Sequence, residues 1–226
     1  MGGFFVGGKA RESYRHRRRI EFVGFYSRVI FPRLCEMALS QPFVTKHRHD
    51  LLSQAHGEIL EIGFGTGLNL PHYPERVRRI TVVDPNLGMH RKAEKRIELS
   101  GIEVDHRLIS GERLPFDDGT FDCVVSTFTL CSIEDVSRAI GEIYRVLRPG
   151  GRFLFLEHGL STDPKVQKWQ HRLNWLQRHL ADNCHLDRNM RELISSQPFS
   201  NVELSEFYLK KGPRTHSYAY EGVATK

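Results

Sequence analysis

The chain has 226 residues, of which 39% are hydrophobic and 27% are charged, and its formal net charge is +6. This balance suits one globular domain with a sizeable core, and the sequence contains no internal repeat or low-complexity segment. No apolar run reaches about 18 residues, so we predict no transmembrane helix.

The N-terminal part divides into a basic segment and a helical lid. Residues 1–20 are rich in arginine and are predicted to form a flexible, solvated tail, although their charge would also suit an anionic membrane surface or nucleic acid. Their order of charge and apolar residues is the reverse of a secretory signal. Residues 21–56 are predicted to form a helical lid, interrupted at Pro32. Its aromatic face, which includes Tyr26, would cover a pocket, lie on a membrane or pack on the domain.

From residue 57 onwards, short apolar strands alternate with helical patterns. Strands are predicted at 58–63, 79–84, 103–109, 121–129 and 152–159, and helices at 66–74, 86–101 and 134–151. Such alternation indicates βαβ units with right-handed crossovers. We therefore predict an α/β fold with a Rossmann-like, doubly wound and mostly parallel sheet.

The C-terminal part is predicted to add a helical insertion and a hairpin to one domain that spans residues 57–226. Asp163 followed by Pro164 is typical of a helix start, and the insertion is predicted at about 162–197. Alternating apolar residues on both sides of "KKGPRTH" indicate an antiparallel β-hairpin. With this hairpin, the predicted sheet has seven strands.

The cysteines are widely spaced and form no C-x-x-C pair. They are Cys35, Cys123, Cys131 and Cys184. This pattern predicts reduced thiols in a cytoplasmic protein, with no disulfide framework and no metal site.

A glycine loop follows the first predicted strand in the segment "EILEIGFGTGLNL". A strand, a glycine loop and a helix in this order are typical of nucleotide binding. The spacing of Gly63, Gly65 and Gly67 differs from that of a P-loop, and Leu68 stands where a dinucleotide fold needs its third glycine. The loop therefore favours a different nucleotide-like ligand.

Two acidic residues narrow the choice of ligand. Glu61 lies just before the loop, where a carboxylate would repel a pyrophosphate but attract a cationic group. Asp84 ends the second strand, a position that suits acceptance of hydrogen bonds from ribose hydroxyls. The pair indicates a cationic ligand that carries a ribose and no phosphate.

Four segments together resemble the class I S-adenosylmethionine-dependent methyltransferases of the type 11 kind. They are "LEIGFGTG", "VVDPN", "GERLPFDDGTFDCVVSTFTL" and "EIYRVLRPGGRFLFLEHG". The resemblance implies S-adenosylmethionine as cofactor. Many relatives carry an Asp near position 110 for the adenine amino group, whereas this chain has Ser110 and Gly111 there. The resemblance implies cofactor contacts by Glu61, Gly63, Gly65, Thr66, Gly67, Asp84, Pro85, Asn86, Met89, Ser110, Gly111, Glu112 and Thr127.

The segments "LCSI", "RVLRPGG", "EHG" and "CHLDR" are similar to a narrower group of membrane-associated thiol methyltransferases and bacterial phospholipid methyltransferases. This similarity implies a small-molecule or lipid-like acceptor, with a thiol or an amine favoured. His158 and His185 are the candidate catalytic bases, and the candidate acceptor pocket comprises Tyr26, Cys131, His158, Trp169 and His185. Peripheral contact with an anionic membrane stays open, no specific nucleic acid is expected, and the oligomeric state is left open.

Three other functions compete with methyl transfer to a small acceptor. An NAD(P)-dependent oxidoreductase is disfavoured by the glycine spacing, by Glu61 and by the lack of a Tyr-x-x-x-Lys pair. A nucleic-acid methyltransferase is disfavoured because "STFTLC" replaces a "DPPY"-like segment after the fourth strand. A cofactor-binding protein without catalysis stays open.

Overall fold

The structure is a computed structural model that describes residues 31–226, without the side chains of Phe31, Pro32, Leu34 and residues 87–91. The predicted basic tail, the first part of the predicted lid and Tyr26 therefore lie outside the described residues. Within 31–226, no helix combines the length and apolar character needed to cross a bilayer.

Helices and strands alternate through the middle of the chain. The helices are α1 (Phe31–Leu39), α2 (Pro42–Leu52), α3 (Leu87–Ser100), α4 (Val136–Val146), α5 (Pro164–Leu180), α6 (Met190–Ser195) and α7 (Arg214–Ser217). The strands are β1 (Ile59–Ile62), β2 (Arg79–Val83), β3 (Glu103–Arg107), β4 (Phe121–Thr127), β5 (Leu147–His158), β6 (Asn201–Tyr208) and β7 (Tyr218–Thr225).

The strands form one seven-stranded sheet in the order β3-β2-β1-β4-β5-β7-β6. β1 to β5 pair in parallel, and β7 runs antiparallel to both β5 and β6. The predicted Rossmann-like sheet and its C-terminal hairpin are confirmed. Because the chain crosses from β3 to β4 beside β1, the strand order reverses between β1 and β4, and a cleft is expected at their carboxyl ends.

The sheet is apolar on both faces, which explains the unbroken hydrophobic runs of its central strands. All four residues of β1 are buried. Alternate residues of each strand point to opposite faces, so Ile59 and Leu60 belong to different hydrophobic clusters. On one face, α4 presents a stripe of buried residues at helical spacing, and its N-cap Asp135 accepts a hydrogen bond from the Arg138 N–H at 3.0 Å.

The helix predicted at 66–74 is wrong for most of its length. The structure has only a short 3-10 turn there, Leu70–His72. Pro71 and Pro74 supply no backbone N–H, and proline disfavours a helical conformation in the residue before it. The chain instead follows an irregular path, which turns the side chains of Asn69 and Tyr73 towards the end of β1.

Helix α1 is attached beside the glycine loop by an ionic cluster. The Glu36 carboxylate accepts hydrogen bonds from Lys92 at 3.0 Å and from Arg96, both on α3. Arg96 also donates to the Thr66 carbonyl at 2.8 Å. This cluster links α1, α3 and the loop that follows β1.

Candidate active site

A cavity of about 390 Å³ opens at the carboxyl ends of β1, β2 and β4. This is the edge at which doubly wound sheets bind ligands. The glycine loop and the end of β2 contribute Gly63, Phe64, Gly65, Thr66, Leu68, Asn69, Asp84, Pro85 and Asn86. Other lining residues come from the helices α1 and α2, the loops after β3 and β4, and the loop after α5.

Two of the three glycines in the loop are required, each for a different reason. Gly63 has φ +74°, and a Cβ added to it would lie 2.0 Å from the Thr129 Oγ1, so the neighbouring loop demands glycine. Gly65 has φ +57°, but a Cβ there would meet no atom within 4 Å. Since Gly65 lines the cavity, its missing side chain leaves space for a ligand rather than for protein.

Asp84 lies where β2 ends and is buried at the cavity wall. One carboxylate oxygen accepts the Gly65 N–H at 2.7 Å, and the other accepts the Asn86 N–H at 2.8 Å. These bonds fix the orientation of the carboxylate, and each of its oxygens can accept more than one hydrogen bond. Asp84 therefore combines a fixed geometry with the capacity to accept from a pair of hydroxyls.

Glu61 lies beneath the cavity and is fully buried, and it is not among the lining residues. Its carboxylate accepts hydrogen bonds from the Asn69 amide at 2.9 Å and from the Tyr73 hydroxyl at 2.7 Å. Burial raises the pKa of Glu61 to about 7, against the opposing effect of these two hydrogen bonds and of Arg48. Asn69 is thus the contact between Glu61 and the cavity.

Arg48, on α2, is a site residue that the sequence analysis did not single out. Its Nε donates to the Asn69 Oδ1 at 2.7 Å, and the residue is buried while lining the cavity. Burial lowers the pKa of Arg48 to about 10, and attraction to Glu61 opposes this change. A signal was present: Arg48 shares a helical stripe with the buried Val44 and Leu51.

Ten of the residues expected to contact the cofactor line the cavity. They are Gly63, Gly65, Thr66, Asp84, Pro85, Asn86, Ser110, Gly111, Glu112 and Thr127. Glu61 and Gly67 lie behind the wall, and the side chain of Met89 lies outside the described part of the chain. Glu112 also accepts the Asp135 N–H at 3.0 Å, which ties the loop after β3 to the start of α4.

Of the residues expected to bind the acceptor, the four that the structure describes do not line the cavity. Trp169 is 55% exposed on α5, and the His185 Nδ1 lies 3.7 Å from a carboxylate oxygen of Asp187. Tyr26 lies outside the described residues. Behind the wall, the Cys131 Sγ lies within 4.8 Å of a ring nitrogen of His158, and the Cys131 carbonyl accepts the His185 N–H at 2.8 Å.

Where the acceptor residues were expected, the cavity wall is formed instead by residues close to them in sequence. Ser132 and Asn183 line it, and the Asn183 amide donates to the Ser132 carbonyl at 3.1 Å. Phe128, Asp182 and Asn183 all have positive φ and all line the cavity. Such strained backbone is frequent at ligand sites. Cys35, from α1, completes this part of the wall.

Cys131 and His158 form a group with Cys184. The Cys184 Sγ lies 2.8 Å from the His158 Nε2 and 3.7 Å from the Cys131 Sγ. The hydrogen bond between Cys184 and Cys131, helped by His158 and opposed by burial, lowers the pKa of Cys184 well below the usual range. The same bond, together with burial, raises the pKa of Cys131. Both effects favour ionisation of Cys184 over ionisation of Cys131.

Comparisons with known proteins agree with this geometry. A family model described as a methyltransferase domain matches residues 60–155. The human thiol S-methyltransferase TMT1A is 33% identical over 72% of this chain and 69% of its own length. A phosphatidylethanolamine N-methyltransferase from Cereibacter sphaeroides is 29% identical over 67% of this chain and 78% of its own length. The match to the rat thiol S-methyltransferase TMT1B spans 61% of that protein.

A solved structure shares the fold at low sequence identity. The phosphoethanolamine N-methyltransferase 2 of Haemonchus contortus, bound to S-adenosylhomocysteine, superposes with a TM-score of 0.67 and 15% identity, covering 91% of this chain and 60% of that one. The motifs, the sheet order, the cavity at its switch point and the similarity to TMT1A all point to the same group. The chain therefore belongs to the class I S-adenosylmethionine-dependent methyltransferase family.

Proposed function

We propose that this protein transfers a methyl group from S-adenosylmethionine to the thiol of a small or lipid-like acceptor. The cofactor assignment rests on one observation: the Asp84 carboxylate and the open space at Gly65 lie in the same cavity. The similarity to thiol S-methyltransferases carries the acceptor assignment. When bound, S-adenosylmethionine supplies an electrophilic methyl group on a sulfonium, so the protein need not supply a nucleophile.

The residues of the cavity suggest how the cofactor is held. Asp84 accepts from the two ribose hydroxyls, and the backbone at Gly65 packs against the methionine part. Arg48 donates to the carboxylate of the amino-acid end. Glu61 attracts the ammonium group through Asn69, which lies between the Glu61 carboxylate and the cavity.

The adenine end is assigned to the loop after β3. Ser110, Gly111 and Glu112 line the cavity there, and the hydrogen bond that Glu112 accepts from the Asp135 N–H holds this loop in place. A serine hydroxyl or a backbone carbonyl would accept from the adenine amino group in place of the Asp found in many relatives.

The wall formed by Cys35, Ser132 and Asn183 lies outside the set of residues assigned to the cofactor, and we assign it to the acceptor. In the reaction, the acceptor thiol loses its proton, its sulfur bonds to the methyl carbon, and the bond between that carbon and the sulfonium breaks. The wall orients the acceptor sulfur and excludes water. His158 and His185 stay as candidate bases, and either would have to act through an intervening group because neither lines the cavity.

Labelled cofactor tests the acceptor directly. Purified protein is incubated with S-adenosylmethionine carrying a deuterated methyl group and with a long-chain alkyl thiol, its alcohol analogue or phosphatidylethanolamine vesicles. Mass spectrometry should find the labelled methyl on the thiol and not on the alcohol. Labelling of phosphatidylethanolamine alone would replace the thiol by an amine acceptor, the second candidate favoured by the Cereibacter relative.

The ionisation of Glu61 should make cofactor affinity depend on pH. Its pKa of about 7 means that the carboxylate is protonated below pH 7 and charged above it. If the ammonium group requires the charged form, affinity should rise by about tenfold per pH unit up to pH 7 and then level off. Calorimetry between pH 5.5 and 8.5 measures this dependence. Glu61→Gln should bind more weakly at pH 8 and show a flat profile, whereas an unchanged slope would remove Glu61 from the assignment.

We also propose peripheral contact with an anionic membrane through α5. Trp169, Trp175 and Leu180 are exposed on this helix, and it also carries exposed basic side chains such as Lys168 and Arg172. Exposed tryptophans among cationic side chains are typical of helices that lie at a membrane surface. Flotation with phosphatidylserine vesicles should recover the protein, and Trp169→Ser with Trp175→Ser should reduce recovery. Equal recovery of the two forms would contradict contact through α5.

A further inference from the structure

The group of Cys131, His158 and Cys184 has the composition of a metal site. One ligand atom from each residue lies within 4.8 Å of the other two. Both cysteines are buried, and His158 is partly exposed. Two sulfurs and an imidazole are a donor set that zinc prefers. Sequence spacing did not indicate this group, because its members are far apart in the chain.

One distance within the group is close to that around a tetrahedral cation, and a second is shorter. With Zn–S bonds of about 2.3 Å and a Zn–N bond of about 2.05 Å, tetrahedral angles give an S···S separation of about 3.8 Å and an S···N separation of about 3.6 Å. The observed Sγ–Sγ distance is 3.7 Å. The His158 Nε2 lies 2.8 Å from the Cys184 Sγ, so it would have to move away by less than about 1 Å.

Each of the three residues lies on a different segment that has its own anchors. Cys131 follows β4, and its carbonyl accepts the His185 N–H at 2.8 Å. His158 ends β5 within the β5–β7 ladder, where it pairs with Ala219. Cys184 lies between α5 and α6, and its N–H donates to the Ala181 carbonyl at 3.0 Å. These backbone contacts position the three segments so that their ligand atoms lie near one another, which is the preorganisation that a metal site needs.

The charges of the group also suit a divalent cation. Two thiolates and a neutral imidazole would make the complex with a divalent cation neutral, which lowers the cost of burying the charge.

We propose that Cys131, His158 and Cys184 bind one thiophilic divalent cation, with Zn²⁺ as the expected species. Within residues 31–226, no fourth His, Cys, Asp or Glu joins the group, so water or another small ligand would complete a tetrahedron. The neighbours Ser132 and Asn183 line the cavity. The cation would therefore tie β4, β5 and the segment after α5 together behind the acceptor wall.

Metal analysis of the purified full chain tests the site. The protein is prepared without a histidine tag, and zinc is measured by elemental mass spectrometry. We expect about one zinc per chain, and less than about a tenth of that in Cys131→Ala with Cys184→Ala. Cys123→Ala is the matched control and should keep its zinc. Cys123 is buried within β4, as Cys131 is buried after it, but Cys123 lies outside the group.

A second measurement covers the case in which the double variant fails to fold. Wild-type protein is stripped with a chelator, kept reduced and titrated with Co²⁺. A tetrahedral site with two thiolates should give thiolate-to-cobalt charge-transfer absorption and intense d–d bands that saturate at one equivalent, and Zn²⁺ should abolish them. Absence of these bands, zinc retained by the double variant, or a disulfide between Cys131 and Cys184 in the freshly purified protein would each overturn the proposal.

Discussion

Replacing Asp84 with Ala should weaken the binding of S-adenosylmethionine by about 10²- to 10³-fold. A hydrogen bond to a charged group contributes about 1.5–3 kcal/mol, and the carboxylate is assigned two such bonds to the ribose. Their sum is roughly 3–6 kcal/mol, and the expected loss of affinity corresponds to the lower part of this range. Asp84 also accepts the Gly65 N–H at 2.7 Å, so its removal should loosen the glycine loop as well. Isothermal titration calorimetry measures the loss.

Asp105→Ala is the control for this substitution. Asp105 lies on the neighbouring strand β3, pairs with Arg107 and does not line the cavity. Its removal should leave the affinity for S-adenosylmethionine within about twofold, because an exposed ion pair contributes little. Circular dichroism and a thermal melt establish that both variants are folded. Affinity unchanged by Asp84→Ala in a folded protein would remove Asp84 from the ribose site.

Adding a methyl group at Gly65 should reduce cofactor affinity by about 10- to 100-fold, or roughly 1.4–2.7 kcal/mol. The Cβ would meet no protein atom within 4 Å, so it would occupy space that we assign to the methionine part of the cofactor. The left-handed backbone conformation adds a cost of about 1–2 kcal/mol to folding in Gly65→Ala.

Gly101→Ala separates this backbone cost from the loss of space. Gly101 follows α3 with φ +67°, and a Cβ there also meets no atom within 4 Å, but the residue does not line the cavity. Both variants should lose similar thermal stability, and only Gly65→Ala should lose cofactor affinity in calorimetry. Equal affinities in the two variants would mean that the space at Gly65 is not where the cofactor lies.

Local sequence patterns were sufficient to predict the strands of the sheet, except that β5 begins at Leu147, within the helix predicted at 134–151. β1 and β4 are short apolar runs, and the residues around "KKGPRTH" alternate as a hairpin requires. The failure at residues 66–74 has a local cause as well, since prolines outweighed an apparent helical pattern. Residues 1–30, in contrast, lie outside the described part of the chain, so the predicted basic tail and the start of the lid stay predictions.

The candidate site likewise contains residues that the sequence could locate and residues that it could not. Gly65 and Asp84 belong to short motifs, so sequence spacing was enough to place them at one cavity. Arg48, in contrast, reaches the cavity from a helix that precedes the sheet, through its bond to Asn69. Cys184, which lies after α5, contacts His158 at the end of β5. No local sequence pattern encodes this long-range contact.

A crystal structure with S-adenosylhomocysteine would test the central claim most directly. We predict that the product lies in the cavity at the ends of β1, β2 and β4, with both ribose hydroxyls within hydrogen-bond distance of the Asp84 carboxylate. Its amino-acid end should lie against Gly65, Asn69 and Arg48. Binding of the product elsewhere, or a ribose that does not contact Asp84, would contradict the account.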